Sequence, residues 1–318
     1  MTNGTIILTG GAGFIGHHLL AQLNTLGVSN IIVVDNLNHP LKKQYLSQCK
    51  YVQYYDKSIF LHVLPALTNI SAILHQGACS ATTETNETYL QQNNVDYSVA
   101  LLQYSIQHNI PFIYASSAAV YGNGALGFSD AINAYQPING YAASKLRFDV
   151  YVTNLLQSTN PPINLIVGLR YFNVYGPGEA HKGFMSSVVG KFYQQYIHNS
   201  TIQLFEGSET IKRDFIYVSD VVDTVLFFLQ SRNVASGIYN VGTGLAQSFT
   251  ALASAFTQVY PNTVIETIPF PAQLKHKYQY YTQANISKLL ALGHNPTFTS
   301  LCSGVHQYIH SITQHEPA

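Results

Sequence analysis

Residues Leu8–Gly16 read Leu-Thr-Gly-Gly-Ala-Gly-Phe-Ile-Gly, and this stretch decides the predicted fold. A strand-like apolar run, Thr5–Leu8, leads into it, and a helix-like run, His17–Leu26, follows. Strand, tight turn and helix in this order let backbone N–H groups at a helix N-terminus bind a dinucleotide phosphate. An ordinary strand–helix turn is the alternative, and the acidic Asp35 farther on favours the dinucleotide site. Gly10 would permit the sharp bend, and Gly13 would let the pyrophosphate approach the backbone. Gly16 would let the helix pack closely against the strand.

The composition argues against several classes of function. Of 318 residues, 47% are hydrophobic and 9% are charged, and the formal net charge is zero with neutral His. No nucleic acid partner is expected, because polyanions are bound by strongly basic surfaces. The low net charge leaves little repulsion between copies and so permits self-association.

Nothing in the sequence predicts a membrane span or an export signal. No apolar run reaches the length of a membrane-spanning helix. The first basic residue is Lys42, so no positive region precedes the apolar Ile6–Leu8. The cysteines Cys49, Cys79 and Cys302 are isolated, which argues against disulfides. We therefore expect a reduced, soluble, cytoplasmic protein with no membrane partner.

The 13 histidines and 23 tyrosines indicate packing more than binding. No HxxH or HExxH spacing occurs, and His17 and His18 lie among apolar residues of a predicted helix, so no metal site is predicted. Basic residues are not interleaved with the tyrosines, so they are interpreted as half-buried packing residues.

Apolar strand-like runs alternate with helical runs through the first half of the chain. Continuous apolar strands in this alternation predict an α/β fold with a doubly wound parallel sheet of the Rossmann type. The predicted strands are Thr5–Leu8, Asn30–Val34, Tyr51–Tyr55, Ala72–His75, Phe112–Ser116 and Leu165–Leu169, and the predicted helices are His17–Leu26, Tyr89–Gln107 and Tyr141–Leu156.

The pattern loosens after Tyr171 and predicts a smaller, interleaved C-terminal α/β substrate domain. The expected boundaries are 1–172 for the cofactor-binding domain, with 214–240 returning to it, and 173–213 plus 241–318 for the substrate domain. The predicted segments are a turn at Asn173–Pro177, a loop at Pro177–Gly183, a helix at Met185–Ile197, a polar segment at Phe205–Arg213 and a helix at Val218–Gln230.

Asp35 ends the second predicted strand and would accept hydrogen bonds from the adenosine ribose. A carboxylate alone favours NAD, because it repels a 2′-phosphate. Lys42 and Lys43 follow in the next loop, and a positive charge there would neutralise that phosphate. An ordinary solvated lysine pair is the alternative interpretation.

Tyr141 and Lys145 are the residues that predict acid–base chemistry. Four residues apart on a helix, the phenol and the ammonium share one face. A free tyrosine has a pKa of about 10. A neighbouring Lys and the positive charge of a nicotinamide are expected to lower the pKa of Tyr141. Ser117, at the end of the strand Phe112–Ser116, would hydrogen-bond a substrate hydroxyl or carbonyl.

With these motifs the chain resembles the extended short-chain dehydrogenase/reductases, a superfamily of nucleotide-sugar epimerases and dehydratases. The resemblance covers nearly the whole chain and implies that Ser117, Tyr141 and Lys145 are catalytic. The matching motifs are Gly10-x-x-Gly13-x-x-Gly16, Ser117 before Ala-Ala-Val-Tyr-Gly, Tyr141-x-x-x-Lys145, Arg170-Tyr-Phe-Asn173-Val-Tyr-Gly-Pro and Arg213-Asp-Phe-Ile-Tyr-Val.

Narrower motifs are similar to the ADP-L-glycero-D-manno-heptose 6-epimerase family, which supplies heptose for the lipopolysaccharide core. They are Gln76-Gly-Ala-Cys-Ser-Ala-Thr-Thr-Glu84, His181-Lys-Gly183, Phe205-Glu-Gly-Ser208 with Lys212-Arg-Asp214, and Tyr278-Gln-x-x-Thr-Gln283. This resemblance implies a homo-oligomer, often a pentamer in the family, with an ADP-sugar substrate and a resident NADP.

The same resemblance implies the roles of individual residues. Tyr141 and Lys182 would be the two acid/base groups. NADP contacts would come from Gly10, Gly13, Phe14, Ile15, Gly16, Asp35, Asn36, Lys42, Lys57, Gln76, Gly77, Ala78, Cys79, Ser80, Asn93, Lys145, Val174 and Lys182. Substrate contacts would come from Asn173, Phe184, Lys191, Phe205, Glu206, Gly207, Ser208, Arg213 and Tyr278.

Two positions depart from the family pattern at the substrate end. Phe184 stands where a small polar residue is usual, and Lys191 stands where a substrate-contacting His is expected. Lys182 as a solvated loop residue and Arg213 as an ion-pair partner of Asp214 are structural alternatives.

Two other functions stay open from the sequence, and a third is disfavoured. A UDP-hexose 4-epimerase with NAD is the first alternative, and a silent NADP-binding scaffold is the second. A 4,6-dehydratase is disfavoured, because Ala118 and Ala119 follow Ser117 where such enzymes have an Asp-Glu pair.

Overall fold

The structure, a computed structural model, describes residues 4–131, 135–231, 234–272 and 278–315. Its strands are β1 (Thr5–Thr9), β2 (Ile31–Asp35), β3 (Gln53–Asp56), β4 (Ile70–His75), β5 (Phe112–Ser117), β6 (Ile166–Tyr171), β7 (Asn173–Tyr175), β8 (Thr201–Phe205), β9 (Lys212–Tyr217), β10 (Gly237–Val241), β11 (Ala246–Ser248) and β12 (Val264–Ile268).

The α-helices are α1 (Phe14–Thr25), α2 (Pro40–Ser47), α3 (Lys57–Val63), α4 (Glu87–Leu90), α5 (Tyr97–Gln107), α6 (Gly140–Leu156), α7 (Val188–Asn199), α8 (Val218–Gln230), α9 (Phe249–Val259), α10 (Ser287–Leu290) and α11 (Leu301–His315). A π-helical turn, Gln91–Asp96, joins α4 to α5. Short 3₁₀ helices cover Leu64–Ala66, Ala118–Tyr121 and Ala180–Met185.

Seven parallel strands form the central sheet in the order β10-β6-β5-β4-β1-β2-β3. Strands such as β2 are buried along their whole length, because helices cover both faces of the sheet. The strand order reverses between β1 and β4, and an open sheet of this kind leaves a crevice at the carboxyl ends of those strands. The doubly wound parallel sheet predicted from the sequence is confirmed.

Three apolar cores organise the layers. One face of the sheet packs against α1 and α8 through residues such as Leu20 and Val225. The other face packs against α5 and α6 through Leu101 and Phe148. A separate core unites α7, α9 and α11, and it includes Phe256. Two small sheets, β11-β9-β7 and β12-β8, lie beside the central one. None of the helices in the described part of the chain has the length and apolar character needed to cross a bilayer.

Two segments differ from the sequence-based expectation, one because of strand pairing and the other because of helix capping. Asn173–Tyr175 was expected to be a turn but forms β7, because it pairs in parallel with β9. The helix expected from Met185 begins at Val188, because the Ser187 hydroxyl caps it by accepting a hydrogen bond from the Gly190 N–H at 3.3 Å.

The helix expected over Tyr89–Gln107 is interrupted by the π-helical turn at Gln91–Asp96. A π turn inserts one extra residue into a helix and is often found at functional sites. The hydrophobic period alone cannot reveal it, since the helix direction continues through the turn.

A buried ion pair ties α6 to the sheet. Arg170 and Asp149 are each 1% exposed, and Arg170 Nε lies 2.8 Å from Asp149 Oδ2. The hydroxyls of Ser116 and Tyr114 donate to the same carboxylate at 2.9 and 3.0 Å. The Arg170 Nη1 donates to the Tyr121 hydroxyl at 2.9 Å. The buried charges are thus hydrogen-bonded as well as paired, which their desolvation requires.

Replacing Arg170 with Met should lower the free energy of unfolding by about 3–5 kcal/mol, because Asp149 would keep a buried, uncompensated charge. Arg147→Met is the matched control, since Arg147 pairs with Glu87 at 3.8 Å on the surface. It should change stability by less than about 1 kcal/mol. Urea unfolding of both variants measures the difference, and equal losses would contradict the assigned importance of the buried pair.

Candidate active site

A cavity of about 730 Å³ lies at the carboxyl ends of the central strands and brings together most of the predicted site residues. Those that line it are Gly10, Gly13, Phe14, Ile15, Gly16, Asp35, Asn36, Lys42, Lys57, Gln76, Gly77, Ala78, Ser80, Asn93, Ser117, Tyr141, Lys145, Asn173, Val174 and Lys182. Within the described ranges, nine predicted residues are not part of its lining: Cys79, Phe184, Lys191, Phe205, Glu206, Gly207, Ser208, Arg213 and Tyr278.

The glycine turn between β1 and α1 has no room for side chains. Gly10 has a φ of +70°, and a Cβ on it would lie 2.5 Å from the Gly77 nitrogen. A Cβ on Gly16 would lie 2.0 Å from the Gly10 carbonyl oxygen. Gly13 is the N-cap of α1, so the first N–H groups of the helix adjoin the cavity that Gly13 lines. This arrangement is the one that phosphate binding requires.

Asp35 at the end of β2 is held on both carboxylate oxygens. Its Oδ2 accepts from the Ala12 N–H at 2.9 Å, and its Oδ1 accepts from the Asn36 N–H at 2.7 Å. Lys42 Nζ lies 2.8 Å from the same Oδ1 and also donates to the Asn36 side chain at 3.2 Å. The interpretation of Lys42 as an ordinary solvated lysine is therefore wrong, whereas Lys43 is exposed.

A buried polar chain fixes the loop that follows β4. The Gly77 N–H donates to Thr9 Oγ1 at 3.2 Å, and Thr9 Oγ1 lies 2.6 Å from His75 Nδ1. His75 Nε2 lies 2.8 Å from Ser98 Oγ, which donates to the Asn94 carbonyl. Burial lowers the pKa of His75 to about 3, so the ring is neutral. Since Ser98 already donates its proton, Nε2 carries the imidazole proton and Nδ1 accepts from Thr9.

The π-helical turn gives two consecutive asparagines different partners. Asn93 Oδ1 accepts from Lys57 Nζ at 2.6 Å on the cavity wall. Asn94 Oδ1 accepts from the Cys79 N–H at 2.8 Å, and its amide donates to Ser144 Oγ at 2.9 Å. Sequence reasoning missed Asn94, although a polar Asn pair inside an apolar helical run was the available signal.

Tyr141 and Ser117 are joined by a side-chain hydrogen bond at the cavity wall. Burial raises the pKa of Tyr141, and the hydrogen bond from Ser117 opposes the rise. The Lys145 ammonium donates to the Ala115 carbonyl at 2.9 Å, and the lowering of the Tyr141 pKa by Lys145 together with a nicotinamide charge stays a prediction. Burial also lowers the pKa of Lys145 to about 8, against the opposing charge of Asp149.

Lys182 reaches the cavity from the 3₁₀ helix Ala180–Met185. Its Nζ lies 3.6 Å from Glu179 Oε2 and 5.0 Å from the centroid of the Phe14 ring. Glu179 is 1% exposed and is itself fixed by the Tyr308 hydroxyl at 2.8 Å and by the Ser187 N–H at 2.8 Å. Lys182 is thus held by a buried carboxylate, and the solvated-loop interpretation is wrong.

The two residues that depart from the family pattern contact each other. Lys191 Nζ lies 4.6 Å from the centroid of the Phe184 ring, and Phe184 is 83% exposed. Burial lowers the pKa of Lys191. Neither lines the cavity, whereas Met185 and Ser186 between them do. The departures therefore form one local unit beside the cavity wall.

Arg213 and Tyr278 belong to an aromatic cluster that adjoins the cavity. The Arg213 guanidinium lies 5.3 Å from the Tyr278 ring centroid and 5.7 Å from that of Phe249, which lines the cavity. Phe270 contacts both Tyr278 and Phe205, with centroids 5.1 Å apart in each pair. Sequence reasoning missed Phe249 and Phe270.

Arg213 is 6% exposed, and burial lowers its pKa. The ion pair with Asp214 that the sequence left open is not formed among the described residues. Asp214 instead accepts hydrogen bonds from Thr243, Gly244 and Ala284 backbone N–H groups at 2.7–2.9 Å. A buried guanidinium of this kind is suited to an anionic ligand group.

Four residues that line the cavity each have a buried polar atom without a hydrogen-bond partner among the described residues: Gln76 Nε2, Tyr97 OH, Tyr175 OH and His181 Nδ1. Such groups are costly unless a ligand satisfies them. A dinucleotide offers hydroxyls, ring nitrogens and phosphate oxygens, so the residues fit a nicotinamide cofactor. In the ranges that the structure covers, no three His, Cys, Asp or Glu side chains are grouped as metal ligands.

Solved structures share this architecture over nearly the whole chain. The Helicobacter pylori ADP-L-glycero-D-manno-heptose-6-epimerase is 30% identical, with 98% of this chain and 96% of that chain covered and a TM-score of 0.85. The Thermus thermophilus UDP-glucose 4-epimerase in complex with NAD is 25% identical, with coverages of 98% and 100% and a TM-score of 0.78.

The Methanobrevibacter ruminantium UDP-N-acetylglucosamine 4-epimerase, in complex with UDP-N-acetylmuramic acid, shares the fold at 23% identity. Coverages there are 99% and 100%, with a TM-score of 0.85. The model of the NAD dependent epimerase/dehydratase family matches residues 6–242, which include the glycine turn, Tyr141 and Lys182. The chain therefore belongs to the NAD dependent epimerase/dehydratase family.

Proposed function

We propose that the protein converts ADP-D-glycero-D-manno-heptose to ADP-L-glycero-D-manno-heptose by transient oxidation at C6 with bound NADP. The observation that carries the proposal is that Tyr141 and Lys182, from two different elements, line one cavity with the glycine turn. The 30% identity to the Helicobacter pylori enzyme over 98% of this chain supports the choice of sugar.

Inverting a carbinol centre needs a proton acceptor and donor for each presentation of the substrate. Tyr141, hydrogen-bonded to Ser117, would take the hydroxyl proton in one presentation, and Lys182 would serve the other. NADP, when bound, supplies the acceptor that takes a hydride from the carbinol carbon and returns it to the opposite face. No net oxidation results, so the cofactor stays resident.

The choice of NADP rests on Lys42. Asp35 alone would repel a 2′-phosphate, but the Lys42 ammonium 2.8 Å away neutralises its charge. Asn36 and Lys57 also line the cavity. Phe14 and Ile15 at the start of α1 and the Gln76–Ser80 loop would complete the cofactor site.

The ADP end of the substrate would lie toward the aromatic cluster. Arg213 would bind the pyrophosphate through its guanidinium, with Tyr278 and the Phe205–Ser208 segment beside it. Asn173, whose Oδ1 accepts from the Thr282 hydroxyl at 3.0 Å, would contact the sugar. Phe184 and Lys191, which contact each other, would close the remaining side of the substrate site.

We propose the same biological setting that the sequence predicts. The reaction would take place in the cytoplasm and supply heptose for the lipopolysaccharide core, and the chain would act as a homo-oligomer. Residues 1–172 with 214–240 would bind the cofactor, and residues 173–213 with 241–318 would bind the sugar nucleotide.

A UDP-hexose 4-epimerase with NAD is the second candidate, and the Asp35 carboxylate at the end of β2 favours it. Incubating the protein with each ADP-heptose diastereomer should give a mixture of both, whereas UDP-glucose should stay unchanged. Nucleotide released by denaturation should be NADP. Interconversion of UDP-glucose and UDP-galactose with released NAD would replace the first proposal by the second.

Tyr141→Phe should reduce turnover by about 10²–10⁴-fold, because the proton acceptor is lost while the cavity keeps its shape. Bound nucleotide should be retained. Tyr151→Phe, an exposed position on the same helix, is the control and should leave turnover unchanged. Initial rates and nucleotide content measure both, and unchanged turnover in Tyr141→Phe would instead favour a non-catalytic scaffold.

Arg213→Lys should raise KM about tenfold with little change in kcat, because it keeps the charge but loses the bidentate guanidinium. The neighbouring Lys212→Met, at an exposed position of β9, should change neither constant. Steady-state kinetics decide between the two outcomes. A fall in kcat at constant KM would show that Arg213 does not bind the ground-state substrate.

A further inference from the structure

His181 lines the cavity but has no task in the proposed reaction. It precedes Lys182 in the 3₁₀ helix Ala180–Met185. Its ring meets the rings of Tyr45 and His39 edge-on, with centroids 5.8 and 6.3 Å apart. Tyr45 lies on α2 and His39 is the N-cap of that helix, which also carries Lys42.

The approach of His181 to α2 is fixed by the first helix. His18 on α1 donates to the Pro177 carbonyl at 2.8 Å, which anchors the segment ahead of His181. His17 stacks on Tyr45 with centroids 4.6 Å apart, and a Cβ on Gly178 would lie 2.2 Å from the His17 ring. The segment is therefore packed against both α1, which follows the glycine turn, and α2, which carries Lys42.

The charges around His181 are mostly positive. Burial, together with Lys42, Lys182 and His39, lowers the pKa of His181 to about 4, although the Gly178 backbone hydrogen bond opposes the change. His17 faces it from α1. Its Nδ1 is buried without a hydrogen-bond partner in the described part of the chain. The ring is thus neutral near pH 7, beside two ammonium groups, with unused hydrogen-bonding capacity.

Such an arrangement suits a multiply charged anion. Lys42 is bound to Asp35, so its single positive charge is already compensated within the site. A phosphate dianion on the adenosine ribose brings about two negative charges. Lys42 alone does not balance the two negative charges of the phosphate, because it already pairs with Asp35. The imidazole of His181 supplies a second group, which gains a positive charge when it binds a proton.

We propose that His181 and Lys42 together receive the 2′-phosphate of NADP, and that His181 distinguishes NADP from NAD. The inference rests on the NADP cofactor of the proposed function. A nearby dianion favours the protonated imidazole, so binding of NADP raises the pKa of His181 and binding of NAD does not. The preference for NADP is therefore strong below that raised pKa and weakens as pH rises through it.

A competition experiment tests the inference on the full-length protein. The protein is equilibrated with an equimolar excess of NADP⁺ and NAD⁺ between pH 6.5 and 8.5, where the phosphate is above its second pKa of about 6. After desalting and denaturation, the ratio of the two released nucleotides is measured. The variants are His181→Gln, His181→Lys and, as matched control, His198→Gln at an exposed position of α7.

The wild-type ratio of NADP to NAD should fall about tenfold across this range, as expected for loss of one charged contact. His181→Gln should start about tenfold lower and show no pH dependence, and His181→Lys should keep a high, pH-independent ratio. His198→Gln should match the wild type. A His181→Gln ratio equal to the wild type, or a His181→Lys ratio as low as that of His181→Gln, would overturn the inference while the NADP proposal stands. Wild-type preference for NAD at every pH would overturn the cofactor proposal itself.

Discussion

The buried carboxylate of Asp149 is the constraint on which the site depends. It accepts from Arg170 on β6, and from Ser116 and Tyr114 on β5, so it sets the position of α6 along the sheet. Because α6 also carries Tyr141, the proposed acid–base group is positioned by an interaction in the protein interior. A side chain on a packed helix is positioned more closely than one on a loop, and catalytic geometry needs that precision.

The central sheet and the glycine turn could be predicted because their signals are local. Continuous apolar strands, the glycine turn and the acid after β2 are each short segments whose structure follows from neighbouring residues. The structure of the C-terminal part depended on contacts between distant segments. β7 was mistaken for a turn, since only its pairing with β9 makes it a strand. Arg213 contacts two aromatic rings, those of Phe249 and Tyr278. These residues likewise come from separate stretches of the chain.

Charge partners and protonation were the properties that could be predicted least well from the sequence. The spacing of Tyr141 and Lys145 placed both on one helix, but burial and the Ala115 carbonyl determine how each titrates. In the same way, Lys42 was ambiguous until its contact with Asp35 was visible. A pattern indicates which groups share a region, whereas their protonation follows from desolvation and from partners that the tertiary structure supplies.

The π-helical turn at Gln91–Asp96 has a consequence for how this region tolerates changes in length. In a regular helix, neighbouring side chains diverge by about 100°, yet Asn93 and Asn94 both hold groups of the site, one on Lys57 and the other on Cys79 and Ser144. The extra residue of the turn makes both contacts compatible with the packing of α5 on the sheet. Deleting one residue from this segment would yield a more regular helix, which would position the contacts of Asn93 and Asn94 less well. Here local irregularity, and not helical propensity, is what the chain must preserve.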